Sequence, residues 1–175
     1  QVASLPDAGY VIHLAGFKFG ASQSPEQLWA INCQAPLLVS QRYQHSQIVA
    51  FSTGSLYGLV EASSGGSRED DEPRPDGEYS MAALCRENIF RYYSRTLNIP
   101  MVVLRLNYAT ELRYGVLVDI AQQLLAANPV DISMTYFNVI WLSDANAMSL
   151  RAMEHCSSPA RLLNMTGPDT LRVPD

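Results

Sequence analysis

Four short runs of apolar residues have the length of buried β-strands. They cover residues 9–16, 47–53, 101–106 and 162–166, and each ends at a glycine or an asparagine. Within the runs most apolar residues are consecutive rather than alternating with polar ones. This pattern is typical of strands that are covered on both faces of a parallel sheet.

Between these runs the apolar residues recur at the spacing of an α-helix. The first helical segment has Ser24 at the N-cap and Pro25 at its first helical position. Pro100 stops the second segment, and we interpret Asp144 as the N-cap of the fourth rather than as a catalytic acid. The predicted helices cover residues 24–43, 78–98, 114–127 and 145–155.

Strands that alternate with helices of this length predict an α/β fold with a parallel sheet and right-handed crossovers. The chain has 175 residues, enough for one core and too few for two, so we expect a single domain. One segment, 61–77, is rich in Ser, Gly, Asp, Glu and Pro and is too long for a simple connection. It is either a functional loop or a disordered tip, and its acidic run 69–72 is expected to be solvated.

Charge and composition exclude several kinds of partner. The chain has 12 Lys and Arg against 17 Asp and Glu, a net charge of −5, so we do not expect it to bind nucleic acid. No apolar run approaches the roughly 18 residues of a membrane span, so no membrane partner is expected. The three cysteines are far apart and lack metal-ligand spacing, which predicts reduced thiols, no metal site and a cytoplasmic protein.

Polar residues cluster where the predicted strands end. Thr53 and Ser55 close the second strand, Asn107 follows the third, and Tyr79 opens the long helix after the acidic loop. In an open parallel sheet the ligand crevice lies outside the carboxyl ends of the strands. Thr53 and Tyr79 could therefore meet across one crevice.

The order and spacing of these segments resemble the NAD-dependent epimerase/dehydratase family of extended short-chain dehydrogenases/reductases. The resemblance covers nearly the whole chain, although no single segment is diagnostic. The segments that carry it are His13-Leu14-Ala15-Gly16, Ile31-Asn32, Ser52-Thr53-Gly54-Ser55-Leu56-Tyr57-Gly58, the acidic and proline-rich approach to Tyr79, Glu87, and the segments 138–145 and 163–167.

The resemblance implies the C-terminal half of a doubly wound, Rossmann-like sheet, with part of a small substrate-binding region. It also implies NAD or NADP as the cofactor and a sugar or nucleotide-sugar as the substrate of an oxidoreductase, epimerase or dehydratase. In that mechanism the Tyr hydroxyl takes a substrate proton and the Thr hydroxyl binds the same oxygen. The implied positions are Tyr79 and Thr53 as catalytic residues, Leu14, Ala15, Gly16 and Asn32 at the cofactor, and Lys18 and Ser55 at the substrate.

The chain departs from the family in two places. The glycine-rich turn that binds the pyrophosphate has no counterpart, and the chain starts at Gln1, so we expect a fragment that lacks the first three strands. Such a fragment, made alone, should bind NAD or NADP weakly or not at all. Ala83 stands where the family has a lysine one helical turn after the tyrosine. Lys18, the only lysine, or Arg86, two turns along the helix, could supply the positive charge, although a guanidinium does not exchange its proton.

These departures leave a second hypothesis open, a non-catalytic relative that binds a dinucleotide or sugar as a sensor or scaffold. Alternatives also remain for single residues. The Thr53 hydroxyl could serve only a strand-end turn, Tyr79 could simply pack on a loop, and His13 is better interpreted as a core or crevice-wall residue than as a base. Without the preceding strands, the strand at 10–14 would be an apolar edge, which predicts self-association or a dimer.

Overall fold

The computed structural model describes residues 2–17 and 24–173. Its elements alternate between strand and helix along most of the chain, as the apolar pattern predicts. The strands are β1 (Tyr10–His13), β2 (Gln47–Thr53), β3 (Met101–Leu106), β4 (Tyr108–Thr110), β5 (Tyr136–Trp141), β6 (Arg161–Met165) and β7 (Thr170–Arg172). The α-helices are α1 (Pro25–Arg42), α2 (Gly77–Leu97), α3 (Val116–Leu125) and α4 (Leu142–Arg151).

The main sheet has four parallel strands in the order β1-β2-β3-β6. Its register places His13 beside Ala50, and Ala50 beside Val103. The carboxyl ends of β1, β2 and β3 therefore lie at one edge of the sheet. This topology confirms the α/β, Rossmann-like prediction.

Two apolar clusters cover the two faces of this sheet. On one face, side chains of β2 and β3 pack against Val39 of α1 and Phe90 of α2. On the other face, Val49, Val102 and Leu104 pack against Ala145 of α4 and its neighbours. Coverage on both faces explains why the central strands are apolar at consecutive positions.

A second, smaller sheet has the order β4-β5-β7, with β4 parallel to β5 and β5 antiparallel to β7. The apolar pattern does not predict β4 or β7. Each has three residues, which is too short to establish a periodicity. The late segment at 138–145, noted only through the family resemblance, contains the end of β5.

The interpretation of Asp144 as an N-cap is wrong. Helix α4 begins at Leu142 with Trp141 at its N-cap, and Asp144 lies in the first turn. A carboxylate there still faces the positive end of the helix dipole, which explains why the local sequence looked like a helix start. Helix α4 also ends at Arg151, and a short 3-10 helix continues over Ala152–His155.

Within the ranges 2–17 and 24–173, no helix combines the length and apolar character needed to cross a membrane.

Strand β1 pairs with β2, and its opposite edge is unpaired within the described residues. At the ends of this edge, Tyr10 is 62% exposed and Leu14 is 68% exposed. Unpaired backbone groups beside apolar side chains favour pairing with another chain. We therefore expect the 175-residue chain, made alone, to show a mass above that of a monomer in size-exclusion chromatography with light scattering.

The matched control for this expectation is the double variant Tyr10→Lys/Leu14→Lys. Both side chains are exposed, so the charges add repulsion at the edge without disturbing the core. The variant should be monomeric. A wild-type chain that is already monomeric at all concentrations would contradict the expectation.

Candidate functional site

The carboxyl ends of β1, β2 and β3 lie side by side in the main sheet. Gly16 lies just beyond β1, Thr53 is the last residue of β2, and Asn107 directly follows β3. The amide of Asn107 lies so close to Gly54 that a Cβ at that position would collide with it. Glycine at position 54 therefore lets the ends of β2 and β3 approach each other.

Arg86 of α2 lies against Gly16 beyond the end of β1 and is only 5% exposed. Its Nη1 donates a hydrogen bond to Asn32 Oδ1 of α1 at 2.6 Å. The guanidinium also hydrogen-bonds to the side chain of Tyr79. It packs against Gly16, where a Cβ would collide with it. One cation thus joins the end of β1, helix α1 and the start of α2.

Helix geometry explains the contact between Tyr79 and Arg86. Tyr79, Ala83 and Arg86 lie on one face of α2 because they are four and then three residues apart. Long helical side chains point towards the N-terminus of their helix, which directs the guanidinium back to Tyr79. Ala83 is fully buried and has no polar group, so it leaves this contact to Arg86.

Asn32 is fully buried and held in one orientation by three hydrogen bonds. Its Nδ2 donates to the carbonyls of Leu28 at 2.9 Å and Phe17 at 3.3 Å, which directs Oδ1 towards Arg86. Pro36 lies inside α1 and has no N–H to donate to the Asn32 carbonyl. The Asn32 side chain therefore positions Arg86, while its main-chain carbonyl lacks the usual donor four residues further along the helix.

The electrostatics of this region are dominated by the buried guanidinium. Burial lowers the pKa of Arg86, although interaction with Tyr79 opposes that shift. Within the described residues Arg86 makes no ion pair with a carboxylate, and its Nε lacks a hydrogen-bond partner. The nearby carboxylate of Glu87 also interacts electrostatically with Arg86 but is paired with Arg105. A buried cation that lacks a direct ion pair attracts negative charge and polar oxygen atoms.

His13 lies beneath the site and packs edge-on against Phe90, with ring centroids 5.0 Å apart. Burial, together with the positive charge of Arg86, lowers its pKa to about 4. The expectation of a core or crevice-wall histidine is consistent with this position. Its Nε2 nevertheless has no hydrogen-bond partner in the described part of the chain.

The lowered pKa of His13 predicts a pH-dependent stability. The folded pKa is about 4 and the unfolded value 6.5, so the unfolded state binds more protons between these pH values. The contribution of His13 to the free energy of unfolding is complete above its unfolded pKa of 6.5, and it is lost as the pH falls towards the folded pKa of about 4. Urea unfolding should show a loss of about 3 kcal/mol over this range that is attributable to His13.

The matched variant His13→Gln, which has no titrating imidazole, should show a flatter dependence over the same range, whatever its stability at neutral pH. Equal slopes for the two proteins would contradict this assignment of the pKa.

Thr53 and Ser55 form a local turn at the end of β2. The Thr53 hydroxyl accepts a hydrogen bond from Ser55 N at 3.2 Å and donates one to Ser55 Oγ at 3.1 Å. Thr53 is buried, whereas Ser55 is exposed. To donate to a ligand, the Thr53 hydroxyl must first leave Ser55.

A buried ion pair lies behind this turn and was not recognised from the sequence. Glu87 Oε1 accepts from Arg105 Nη2 at 2.6 Å, and Oε2 accepts from Arg105 Nε at 3.0 Å and from Ser52 Oγ at 3.1 Å. An arginine within the apolar run of β3 is a usable signal, because a buried charge needs a partner. Although burial opposes it, hydrogen bonding to Glu87 and Tyr57 raises the pKa of Arg105, which stays charged.

The same network fastens the acidic loop over the strand ends. Arg105 Nη1 donates to the Tyr57 hydroxyl at 2.5 Å and to the Glu69 carbonyl at 3.2 Å. The Tyr57 hydroxyl donates to Asn164 Oδ1, and Asn164 N donates to Glu69 Oε1, both at 2.7 Å. Burial raises the pKa of Tyr57, which favours its neutral, donating form. The expectation of a fully solvated acidic run is therefore wrong for Glu69.

The other predicted site residues differ in what the structure says of them. Leu14, Ala15 and Gly16 are exposed just after β1, where a ligand at the sheet edge can reach them. Lys18, the predicted substrate contact, lies outside the described residues. Among the residues that are described, no group of three or more His, Cys, Asp or Glu side chains could hold a metal ion.

The chain belongs to the NAD dependent epimerase/dehydratase family, whose model matches residues 2–110. No curated protein matches the sequence. The family match contains β1, β2, β3 and the two helices that hold Asn32, Tyr79 and Arg86.

Solved structures resemble the chain in fold. A variant of UDP-glucuronic acid 4-epimerase from Bacillus cereus, in complex with UDP-4-deoxy-4-fluoro-glucuronic acid and NAD, has a TM-score of 0.85 and 19% identity, covering 99% of this chain and 59% of its own. RMD from Pseudomonas aeruginosa, complexed with NADPH, has a TM-score of 0.81 and 19% identity, covering 99% and 66%. UDP-N-acetylglucosamine 4-epimerase from Methanobrevibacter ruminantium, in complex with UDP-N-acetylmuramic acid, has a TM-score of 0.81 and 14% identity, covering 99% and 60%.

The chain therefore spans about three fifths of the length of these proteins. At identities of 14% to 19%, the likeness to these proteins shows the fold alone.

Proposed function

We propose that the chain provides the residues that transfer a proton in an NAD(P)-dependent site that acts on a nucleotide sugar. The observation that carries the proposal is the contact of a buried, positively charged Arg86 with both Tyr79 and Asn32 at the carboxyl edge of the sheet. The family match and the nucleotide-sugar complexes of similar fold support this class of substrate.

The residues at this edge suit a nicotinamide dinucleotide. The guanidinium of Arg86 places a positive charge against Gly16, and the exposed main chain at Leu14, Ala15 and Gly16 can approach a ribose or a phosphate closely. When bound, the dinucleotide accepts or returns a hydride. Arg86 and Asn32 would hold its polar groups at the end of β1.

Tyr79 is the proposed proton acceptor for a sugar hydroxyl. Arg86 keeps its own proton, so its contribution is electrostatic: it stabilises the negative charge that develops on the Tyr79 oxygen. Thr53 would donate a hydrogen bond to the same substrate oxygen after releasing Ser55 Oγ. Ser55, which is exposed beside it, and Lys18 are proposed substrate contacts.

A second candidate function is binding without turnover, as a sensor or scaffold. The specific observation in its favour is that the Thr53 hydroxyl is occupied by its own turn, while position 83 provides no lysine. The same crevice would then recognise a dinucleotide or a sugar without transferring a proton.

One experiment separates the two functions. NAD, NADP and a panel of UDP-sugars are titrated calorimetrically into the longest natural polypeptide that contains this chain, and the products are analysed by chromatography. An epimerised, oxidised or dehydrated sugar supports the enzyme, whereas binding without conversion supports the sensor. If neither dinucleotide nor sugar binds, both proposals are wrong.

A further inference from the structure

The fold brings together two thiols that are distant in the sequence. Cys33 of α1 and Cys85 of α2 face each other with their Sγ atoms 3.2 Å apart. Both are free thiols and both are half-buried, so a small oxidant can reach them. Cys156 lies elsewhere and contacts the carbonyl of Ile48 at 3.6 Å.

The thiol pair lies directly beside the candidate site. Cys33 follows Asn32, and Cys85 precedes Arg86, in the chain. The contact between Asn32 Oδ1 and Arg86 Nη1 at 2.6 Å and the contact between the two sulfur atoms are therefore neighbouring contacts between the same two helices. A change in the distance between the two sulfur atoms therefore changes the distance between α1 and α2 at the contact of Asn32 with Arg86.

We propose that Cys33 and Cys85 form a reversible disulfide that ties α1 to α2 beside Arg86. A disulfide bond is about 2.05 Å long, so the sulfur atoms need to approach by roughly 1 Å. The third cysteine of the chain, Cys156, lies in neither helix. Each of the two thiols therefore has one other thiol within reach.

A low-molecular-weight disulfide such as oxidised glutathione balances the reaction. One thiolate attacks a glutathione sulfur atom, which forms a mixed disulfide and releases one glutathione thiolate. The second protein thiolate then displaces the other glutathione. The protein loses two thiol protons and two electrons, and glutathione disulfide is reduced to two thiols.

Proximity rather than reactivity drives the closing step. Burial and the neighbouring Cys85 thiol raise the pKa of Cys33 to about 11. A raised pKa leaves little thiolate for the first attack, whereas the second attack is intramolecular and is favoured by the pre-existing contact. The pair should therefore oxidise slowly and, once attacked, close without accumulating the mixed disulfide.

The test uses the longest natural polypeptide that contains this chain. The native protein is incubated with oxidised glutathione, its remaining thiols are blocked with a maleimide, and its peptides are mapped without reduction. We expect a linked pair of peptides that contain Cys33 and Cys85, while the peptide of Cys156 carries the maleimide. The linkage should raise Tm by on the order of 5 °C, and dithiothreitol should reverse the rise.

Two variants serve as controls. In Cys33→Ala and in Cys85→Ala the remaining thiol should accumulate the mixed glutathione disulfide, and oxidation should not raise Tm. The proposal is overturned if the wild-type protein carries maleimide or glutathione separately on Cys33 and Cys85, or if either of them links to another cysteine. Because no step measures activity, this result is independent of the proposed function.

Discussion

Under the proposed enzymatic function, replacement of Tyr79 by phenylalanine is expected to lower kcat by about 1,000-fold in the full-length protein while leaving dinucleotide affinity within a few fold. The change removes the phenol oxygen, and with it the proposed proton acceptor and the partner of Arg86, but retains the ring and its packing. Initial rates with the nucleotide sugar identified by the screen, together with calorimetric titration of the cofactor, measure the two effects.

The matched control is Tyr92→Phe, which removes a hydroxyl from an exposed tyrosine of the same helix. It should retain full activity. Full activity in Tyr79→Phe would rule out Tyr79 as the proton acceptor. The reaction would then need a different proton acceptor.

The second large effect is expected on stability. Glu87→Ala should lower the free energy of unfolding by about 3 to 5 kcal/mol, because it leaves the buried guanidinium of Arg105 without its carboxylate. The variant also removes the acceptor of Ser52 Oγ. Urea unfolding monitored by far-UV circular dichroism measures the change.

Two further variants show whether this cost arises from a broken pair or from lost volume. Glu72→Ala removes an exposed carboxylate from the acidic loop and should change the free energy of unfolding by less than about 0.5 kcal/mol. The double variant Glu87→Leu/Arg105→Met removes both charges and should recover much of the loss. A double variant as unstable as Glu87→Ala would assign the loss to the hydrogen bonds of Arg105 to Tyr57 and Glu69 rather than to the uncompensated charge alone.

The central sheet could be predicted because its strands are covered on both faces. β2 and β3 have the predicted bounds, and α1 begins at Pro25 with Ser24 at the N-cap as predicted but ends one residue earlier, at Arg42. The small second sheet could not be predicted in the same way. β4 and β7 are too short to carry a pattern, and their pairing with β5 depends on the fold.

The candidate site could be predicted in part. Helical spacing places Tyr79 and Arg86 on one face of α2, and the sheet topology places Thr53 at the edge. The burial of Arg86 against Asn32 depends on how α1 packs on α2, which no local pattern encodes. The meeting of Cys33 and Cys85 has the same origin, because both belong to otherwise ordinary helical segments.

Glu87 and Arg105 illustrate an intermediate case. The arginine interrupts an apolar strand, which indicates a buried charge and therefore a buried partner. The strand pattern alone does not identify that partner, because several Asp and Glu side chains of the chain could pair with an arginine. Only the packing of α2 on β3 selects Glu87.

The most direct test of the central claim moves the positive charge along α2. The claim is that Arg86 acts as the cation of a dinucleotide site in which position 83 is alanine. Arg86→Met in the full-length protein should weaken dinucleotide binding about tenfold, because a charged hydrogen-bond donor is lost. Adding Ala83→Lys to that variant should restore most of the affinity, since it returns a cation to the Tyr79 face one turn earlier. Arg95→Met, on an exposed part of α2, should bind as the wild type does. Unchanged affinity in Arg86→Met would contradict the claim.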